Sequence, residues 1–236
     1  KAGPVRSARP YLAVKAAEFD AYFAHVGGSM QALADIVNYG IADFDGLNSG
    51  AFRREPPKEP PHNTYLSIET MLSEAERLGY RPQSEPQFLR FGEAGDGDMA
   101  DYLGIRYRAA TDYDPTGYYV EFYYDAASNL YKRYMNGEEH RDAASNELLT
   151  CSNVIVQIAG HHQLDREGRL AIDVIGGGFG HFFRDGKVYP ITWRKNALKD
   201  PTKYYDAEGQ EVLLALGKTW IQVVPYDSYE YKAGNP

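Results

Sequence analysis

The 236-residue chain has the composition of a folded globular protein, and this excludes several classes of function. Hydrophobic residues make up 43% of the chain and charged residues 25%, as in ordinary folded domains, and no apolar run approaches the roughly 20 residues of a membrane-spanning helix. The formal net charge of −8 argues against nucleic-acid binding, which needs a clustered basic surface. The length predicts one large domain or two small ones.

The first third of the sequence predicts helices that alternate with short strands. Pro10 suits the first turn of a helix, and the apolar run at 20–26 has the length of a strand. Ser29 and Gly40 are the predicted N-cap and stop of a second helix. The apolar residues that share one face of this helix are Met30, Leu33, Ala34 and Val37. A strand that enters a helix through a tight glycine turn is half of a β-α-β unit.

The proline-rich run at 55–61 predicts an extended loop, since each proline removes a donor and restricts the residue before it. Ser67 then caps a third helix. The apolar stripe of this helix consists of Ile68, Met71, Leu72, Ala75 and Leu78. After 81–87 the hydrophobic period changes from helical to alternating. We therefore expect an α/β domain over 1–83 and a β-rich domain over 88–236.

The second part of the sequence predicts β hairpins, with turns at Asn136-Gly137 and Asp185-Gly186. The predicted strands are 103–109, 118–125, 129–135, 153–159, 169–175, 181–186, 187–193, 211–216 and 219–225. The fold class is thus α+β, an N-terminal α/β portion followed by a mainly antiparallel β domain. The 20 tyrosines are concentrated here, either as good strand formers or as a solvent-facing platform that stacks against sugars or bases.

His25 and Ser29 lie where an open α/β sheet places its ligands. His25 ends a predicted strand, at the carboxyl edge of the sheet, and the free amides at the start of the next helix favour an anion. The turn between them is too short for a phosphate loop and lacks its lysine. The alternative is structural, a capped helix after a tight turn that holds a hydrogen-bonded histidine.

Four arginines lie in loops that lead to this edge. Arg6 and Arg9 precede the first helix, and Arg53 and Arg54 flank the proline-rich loop that leads to His62 and Asn63. If these loops meet, they form a local positive site that suits a carboxylate or phosphate ligand, because the guanidinium fork binds either group bidentately. The alternative is that the arginines pair with Asp43, Asp45, Glu55 and Glu59 and hold the loops together.

Other motifs predict structure rather than chemistry. Cys151 stands alone in an apolar segment, typical of a small buried residue. His161 and His162 fall in a predicted hairpin turn without metal-ligand spacing. His140 with Asp142 is either a general base or part of a turn. The glycines at 176–180 favour a bulge or a close backbone approach. The sequence holds no serine-hydrolase elbow, so we expect neither a metal nor a cofactor.

Five segments of the chain together resemble the YerB-like bacterial lipoproteins, in the same order along nearly the whole sequence. The segments are GPVRSARPY (3–11), HVGGS (25–29), FRRE with PPHNTY (52–55 and 60–65), NVIVQ (153–157), and GGGFGHFFRDGKVYPITWRK with GKTWIQVVP (176–195 and 217–225). That family is a two-part domain of unknown function, typical of Gram-positive bacteria. The resemblance implies an extracytoplasmic protein that is anchored in the membrane as a lipoprotein.

The chain departs from the family pattern at its start. Members usually carry a lipobox, a linker and a strand segment before the GPVRSAR motif, and the sequence begins just ahead of that motif. We expect the first domain to be incomplete at its N-terminus, and any membrane tether to run through the lipid anchor of a longer form.

Three functional hypotheses follow. The first is a binding module for an anionic cell-envelope glycan or small anion, held by Arg6, Arg9, His25, Ser29, Arg53, Arg54, His62 and Asn63. The second is an envelope hydrolase or transferase that uses His25 or His62 as general acid or base. The third is a scaffold that binds a protein partner through exposed tyrosines of the β domain.

Overall fold

The computed structural model describes residues 1–84, 89–108, 117–166 and 168–233. The chain divides into two compact units. One comprises Lys1–Phe88 with Asn196–Pro201, and the other comprises Leu89–Lys195 with Thr202–Pro236. Among the described residues, every helix is too short or too polar to cross a lipid bilayer.

The described part of the first unit contains three helices and four short strands. The helices are α1 (Pro10–Glu18), α2 (Met30–Tyr39) and α3 (Ile68–Arg77), and the strands are β1 (Phe23–His25), β2 (Asp43–Asp45), β3 (Phe52–Arg54) and β4 (Thr64–Leu66). Strands β1 and β2 are parallel and joined by α2, so the predicted β-α-β unit is confirmed. Strands β3 and β4 form an antiparallel hairpin, whose loop turns tightly through the prolines instead of extending.

Local capping chemistry sets the ends of the helices. The Ser29 hydroxyl accepts a hydrogen bond from the Ala32 amide at 3.2 Å, and Gly40 ends α2 with a left-handed φ of 63°. Ser67 caps α3 in the same way, accepting from the Thr70 amide at 3.0 Å. These are the helix start and stop signals that the sequence shows.

The apolar residues on one face of α2 and of α3 are more exposed than their helical spacing predicts. Met30 is 90% exposed and Val37 78% exposed, because α2 packs its opposite side, with Ala32 and Ile36, against alanines of α1 and the segment before it. The apolar stripe of α3 is likewise half-exposed, and only Ala75 on it is buried. Small residues allow close helix packing and leave the larger apolar side chains outside.

In the residues that the structure describes, the second unit forms two six-stranded sheets and a separate hairpin. Its strands are β5 (Asp98–Met99), β6 (Tyr102–Arg108), β7 (Tyr118–Asp125), β8 (Leu130–Met135), β9 (Glu138–Glu139), β10 (Thr150–Cys151), β11 (Asn153–Ile158), β12 (His161–Gln163), β13 (Leu170–Ile172), β14 (Gly176–Arg184), β15 (Lys187–Lys195), β16 (Lys203–Tyr205), β17 (Thr219–Val224) and β18 (Tyr229–Lys232). The first sheet has the order β10-β8-β7-β6-β18, with β9 beside β8. The second has the order β16-β15-β14-β11-β17, with β5 beside β15.

The main core of this unit lies between the two sheets. Alternate side chains of β6 and β7, such as Leu103 and Phe122, pack with Val154 and Phe183 of the second sheet. The opposite face of the second sheet forms another cluster around Phe182, with residues that include Ile191, Trp193 and Leu214. The second sheet therefore has apolar cores on both of its faces, whereas the first sheet contributes one face to a core.

Some strand predictions in this unit were wrong. The segment 211–216 forms isolated bridges at Glu211 and Leu214 instead of a strand, and its residues Val212 and Leu214 pack on the second core. His161 and His162 begin strand β12 and do not lie in a turn. Most pairings are antiparallel as predicted, but β11 and β17 run parallel, a long-range pairing that local patterning does not encode.

Cys151 is buried at the end of β10, as its sequence setting predicts. Burial raises the pKa of its thiol to about 12, and only the thiolate is reactive. We expect no reaction of the native protein with a thiol reagent such as 5,5′-dithiobis(2-nitrobenzoate) at pH 8, and one reacting thiol in urea. Rapid labelling of the native protein would contradict this placement.

Candidate functional site

The segment before α1 holds the candidate site together through its backbone. The amide of Val5 donates to the Thr64 carbonyl of β4 at 2.7 Å, and the carbonyl of Arg6 accepts from the Val26 amide at 3.0 Å. Ala8 then donates to the Gly27 carbonyl at 2.9 Å. Arg6 thus lies between the start of β4 and the end of β1, so the three predicted loop regions do meet.

Two pairs of predicted site residues are in direct contact. Nη1 of Arg6 lies 3.0 Å from Nδ1 of His62, and Nη1 of Arg54 donates to Oδ1 of Asn63 at 3.1 Å. Since a guanidinium only donates, Nδ1 of His62 is the acceptor and its Nε2–H remains as a donor. Arg6, Arg54 and His62 are exposed, whereas Asn63 is buried.

Arg9 and Arg53 lie in the same unit, but in the described structure neither side chain hydrogen-bonds to these pairs. Arg9 is the N-cap residue of α1 and donates from Nη1 to the Ala8 carbonyl at 2.8 Å. Arg53 precedes Arg54 on β3, so the two side chains project to opposite faces of the hairpin. The Arg53 side chain therefore points away from that of Arg54.

His25 is held inside the protein instead of facing a ligand. Nε2 contacts Oδ2 of Asp43 at 2.9 Å, and Nδ1 contacts the Gly27 carbonyl at 2.9 Å. The side chain is 1% exposed. Both ring nitrogens therefore meet acceptors, which is the hydrogen-bonding pattern of an imidazolium.

The pKa of His25 reflects these neighbours. Burial lowers the pKa, but the hydrogen bonds that His25 donates to Asp43 and to the Gly27 carbonyl, together with the charges of Asp45 and Asp43, outweigh burial and raise it above the usual 6.5. The Gly27 carbonyl that His25 binds also accepts the Ala8 amide. His25 thus fixes the turn to which the segment with Arg6 and Arg9 is attached.

The N-termini of α1 and α2 lie side by side at this edge. The Ala8 carbonyl accepts the Ser29 amide at 3.3 Å, and an isolated parallel bridge joins Ala8 to Gly28. Neither helix has an acidic residue in its first turn, and α1 lacks a side-chain cap. Two partial positive charges therefore add to the arginines.

The carboxylates that lie near the arginines in the sequence bind other groups. Asp43 and Asp45 bind His25, with Asp45 also accepting the Gly27 amide at 2.8 Å, and Glu55 pairs with Lys1. Within the described part of the chain, none of the four arginines forms an ion pair with a carboxylate. No carboxylate of the described residues therefore neutralises the guanidinium charge at this edge.

The sequence analysis missed a cavity of about 550 Å³. It lies at the opposite edge of the two-stranded sheet that β1 and β2 form. It adjoins the amino ends of β1 and β2 and is lined mostly by small residues and by Tyr22, Tyr39 and Tyr80. Arg81 at its rim pairs with Asp20. The available signal was the convergence of three helix ends, at Glu18, Tyr39 and Arg77.

Other titratable groups assemble no catalytic constellation in the described residues. Asp142 accepts backbone amides of its own turn and His140 contacts Arg133, so Asp142 does not orient His140. Burial and the charge of Arg133 lower the pKa of His140. No group of His, Cys, Asp and Glu in the described ranges could hold a metal ion.

Comparison with known proteins places this architecture in a family of two-part domains. Residues 1–81 match the family model described as "Protein of unknown function (DUF3048) N-terminal domain", and residues 109–221 match the corresponding C-terminal domain. A relative from Bacillus subtilis (strain 168), named "Putative lipoprotein YerB", is 34% identical over 229 residues. The alignment covers 94% of this chain and 66% of the relative.

A solved structure shows the same fold. The crystal structure of the YerB protein from Bacillus subtilis matches with a TM-score of 0.86 and 29% identity, covering 98% of this chain and 77% of that one. The chain therefore belongs to the YerB-like family of two-part domains of unknown function, as the resemblance of its motifs predicts.

Proposed function

We propose that this chain is a binding module for an anionic ligand of the cell envelope, either a glycan with phosphate or carboxylate groups or a small anion. The observation that carries the proposal is the set of guanidinium groups without carboxylate partners at an edge where two helices begin. Donors that are not used inside the protein are available to an oxyanion.

Arg6 and His62 form the centre of the proposed site. The Nδ1 atom of His62 accepts from Arg6 at 3.0 Å, so the remaining N–H groups of Arg6 and the Nε2–H of His62 are donors that one oxyanion can share. Arg9 and the start of α1 supply further positive potential. In this proposal His25, Ser29, Arg54 and Asn63 position the loops, and Arg53 extends the positive surface.

The proposed location follows from the family. A relative of this chain is named a putative lipoprotein, and a lipid-anchored protein outside the cytoplasm meets envelope polymers rich in phosphate or carboxylate. We propose the same location here, with the membrane tether in a longer form of the protein.

Removal of Arg6 and Arg9 is expected to weaken anion binding by at least 10-fold. A hydrogen bond to a charged group contributes about 1.5–3 kcal/mol, and 1.4 kcal/mol corresponds to 10-fold in affinity. The test is a thermal-shift titration of wild type and the Arg6→Ala/Arg9→Ala variant with inorganic phosphate, poly(glycerol phosphate) and an uncharged glycan. Ligand at ~100 times its dissociation constant adds about 2.7 kcal/mol of apparent stability.

The matched control removes two exposed arginines of the other unit. Arg166 and Arg194 are exposed, so the Arg166→Ala/Arg194→Ala variant makes the same change in net charge with residues that are not part of the proposed site. Equal loss of affinity in both double variants would indicate general charge attraction and contradict the proposal. No shift of wild type with any anion would also contradict it and favour the protein-interaction scaffold.

A further inference from the structure

The first sheet of the second unit has one apolar face and one face of tyrosines and charges. The register pairs Tyr102 with Tyr123 and Glu121 with Tyr134, and alternate residues of a strand share a face. We call this set of side chains the tyrosine face. Its central members are Tyr102, Tyr119, Glu121, Tyr123, Lys132 and Tyr134. The neighbouring residues Leu103 and Phe122 point into the core.

Glu121 is the polar centre of the tyrosine face. It is 8% exposed, and its Oε1 atom accepts hydrogen bonds from the hydroxyls of Tyr123 at 2.8 Å and Tyr102 at 3.3 Å. Burial and the bond to Glu121 raise the pKa of Tyr123, so its phenol remains a donor at neutral pH. Within the described residues, Oε2 of Glu121 has no hydrogen-bond partner.

Cations already cover one end of the tyrosine face and leave the other end open. Arg106 lies 4.6 Å from the ring centroid of Tyr119, and Lys232 lies 4.8 Å from that of Tyr102. Among the described residues, no cation lies over the rings of Tyr123 and Tyr134, which meet edge to face with centroids 5.0 Å apart. They line a cavity of about 500 Å³, within the range of roughly 300–1,000 Å³ that small-molecule sites occupy.

The charges in this cavity select its ligand. Glu121 and Asp125 present carboxylate oxygens, and the Lys132 ammonium lies 2.9 Å from Asp125. An anion would meet the two carboxylates, and a cation would meet the lysine. A neutral sugar can bind both the carboxylates and the lysine, because a sugar hydroxyl donates to a carboxylate and accepts from an ammonium. The aliphatic face of a pyranose can also pack on an aromatic ring.

We propose that the tyrosine face is a binding site for a neutral oligosaccharide. The sugar ring packs against Tyr123 and Tyr134, and its hydroxyls bind Oε2 of Glu121 and Nζ of Lys132. This site lies wholly in the second unit, and it does not depend on the arginine site of the first.

The test is isothermal titration calorimetry with neutral trisaccharides of glucose, galactose, mannose and N-acetylglucosamine. We expect wild type to bind at least one of them, with the dissociation constant raised at least 10-fold by Tyr123→Ala and by Lys132→Ala. Lys132 is 40% exposed, so the second variant keeps the test valid if loss of the tyrosine ring impairs folding. The Tyr226→Ala control removes a tyrosine that is 67% exposed and lies outside the tyrosine face.

The outcomes separate this site from the arginine site. Sugar binding that survives Arg6→Ala/Arg9→Ala but fails in the Tyr123 and Lys132 variants supports the proposal. The proposal is overturned if no neutral trisaccharide binds folded wild type at millimolar concentration, or if Tyr226→Ala weakens binding as much as Tyr123→Ala. Binding of unstructured peptide in place of sugar would overturn it too.

Discussion

Replacement of Gly180 by alanine is expected to lower the free energy of unfolding by about 3 kcal/mol or more. Gly180 lies in β14, between β15 and β11, opposite Gln157. A Cβ atom at this position would lie closer than 3.0 Å to the Val156 carbonyl oxygen, a separation that real Cβ atoms essentially never show. That oxygen belongs to the backbone of a buried strand, so no rotation of a side chain relieves the clash.

Urea unfolding measures this effect through the transition midpoint. The matched control is Gly95→Ala in the same unit, where an added Cβ would meet nothing within 4 Å, and we expect a change below about 0.5 kcal/mol. Failure of the Gly180 variant to fold would agree with the prediction. A cost of less than about 1 kcal/mol would mean that β11 and β14 separate easily, contrary to their packing.

Features set by local chemistry were predictable from the sequence. Ser29 caps the start of α2 and Gly40 ends it, and each acts within one helical turn. The Asn136-Gly137 and Asp185-Gly186 turns adopt the predicted positive φ angles. The close backbone approach expected for the glycines at 176–180 is present at Gly180. Each of these signals acts over a few residues, so neighbouring sequence is enough to decode it.

Features set by distant packing were not predictable. The outward apolar face of α2 follows from the alanines of α1 and of the preceding segment, which pack on its other side, and no periodicity of α2 itself reports them. The parallel pairing of β11 with β17 joins residues more than 60 positions apart. The segment 211–216 was predicted as a strand but pairs through isolated bridges at Glu211 and Leu214, whose partners Tyr205 and Phe91 are not identified by local patterning.

The candidate site was predictable in part for the same reason. Residue types and loop positions indicated a positive edge, and the structure brings Arg6 to His62 and Arg54 to Asn63. The sequence did not show which acids bind His25, because Asp43 and Asp45 reach it only through the parallel pairing of β1 with β2. It also left open which tyrosines share a face with Glu121, since that depends on the register of β6, β7 and β8.

Replacement of His25 by alanine is expected to lower the free energy of unfolding by about 3 kcal/mol near pH 6. Removal of one member of a buried ion pair costs about 3–5 kcal/mol, and the lower end applies because Asp43 and Asp45 keep 28% and 17% exposure. The variant also frees the turn at Gly27, so we expect weaker attachment of the segment that carries Arg6 and Arg9.

The pH dependence of this cost identifies its origin as the charge of His25. The pKa of folded His25 is raised above 6.5, so the protonated ring favours the folded state. This stabilisation is complete below about pH 6.5 and is lost as the pH rises through the folded pKa. Urea unfolding of wild type and His25→Gln from pH 5.5 to 8.5 should therefore give a stability difference that shrinks with rising pH.

His181 provides a control of opposite sign. Burial lowers its pKa below 6.5, so its neutral ring favours the folded state and that contribution is lost as the pH falls. The stability difference between wild type and His181→Gln should grow with rising pH, while that for His25→Gln shrinks. A His25 difference that is constant across the range would show that the ring stabilises the turn by packing and neutral hydrogen bonds, and that Asp43 and Asp45 do not hold an imidazolium.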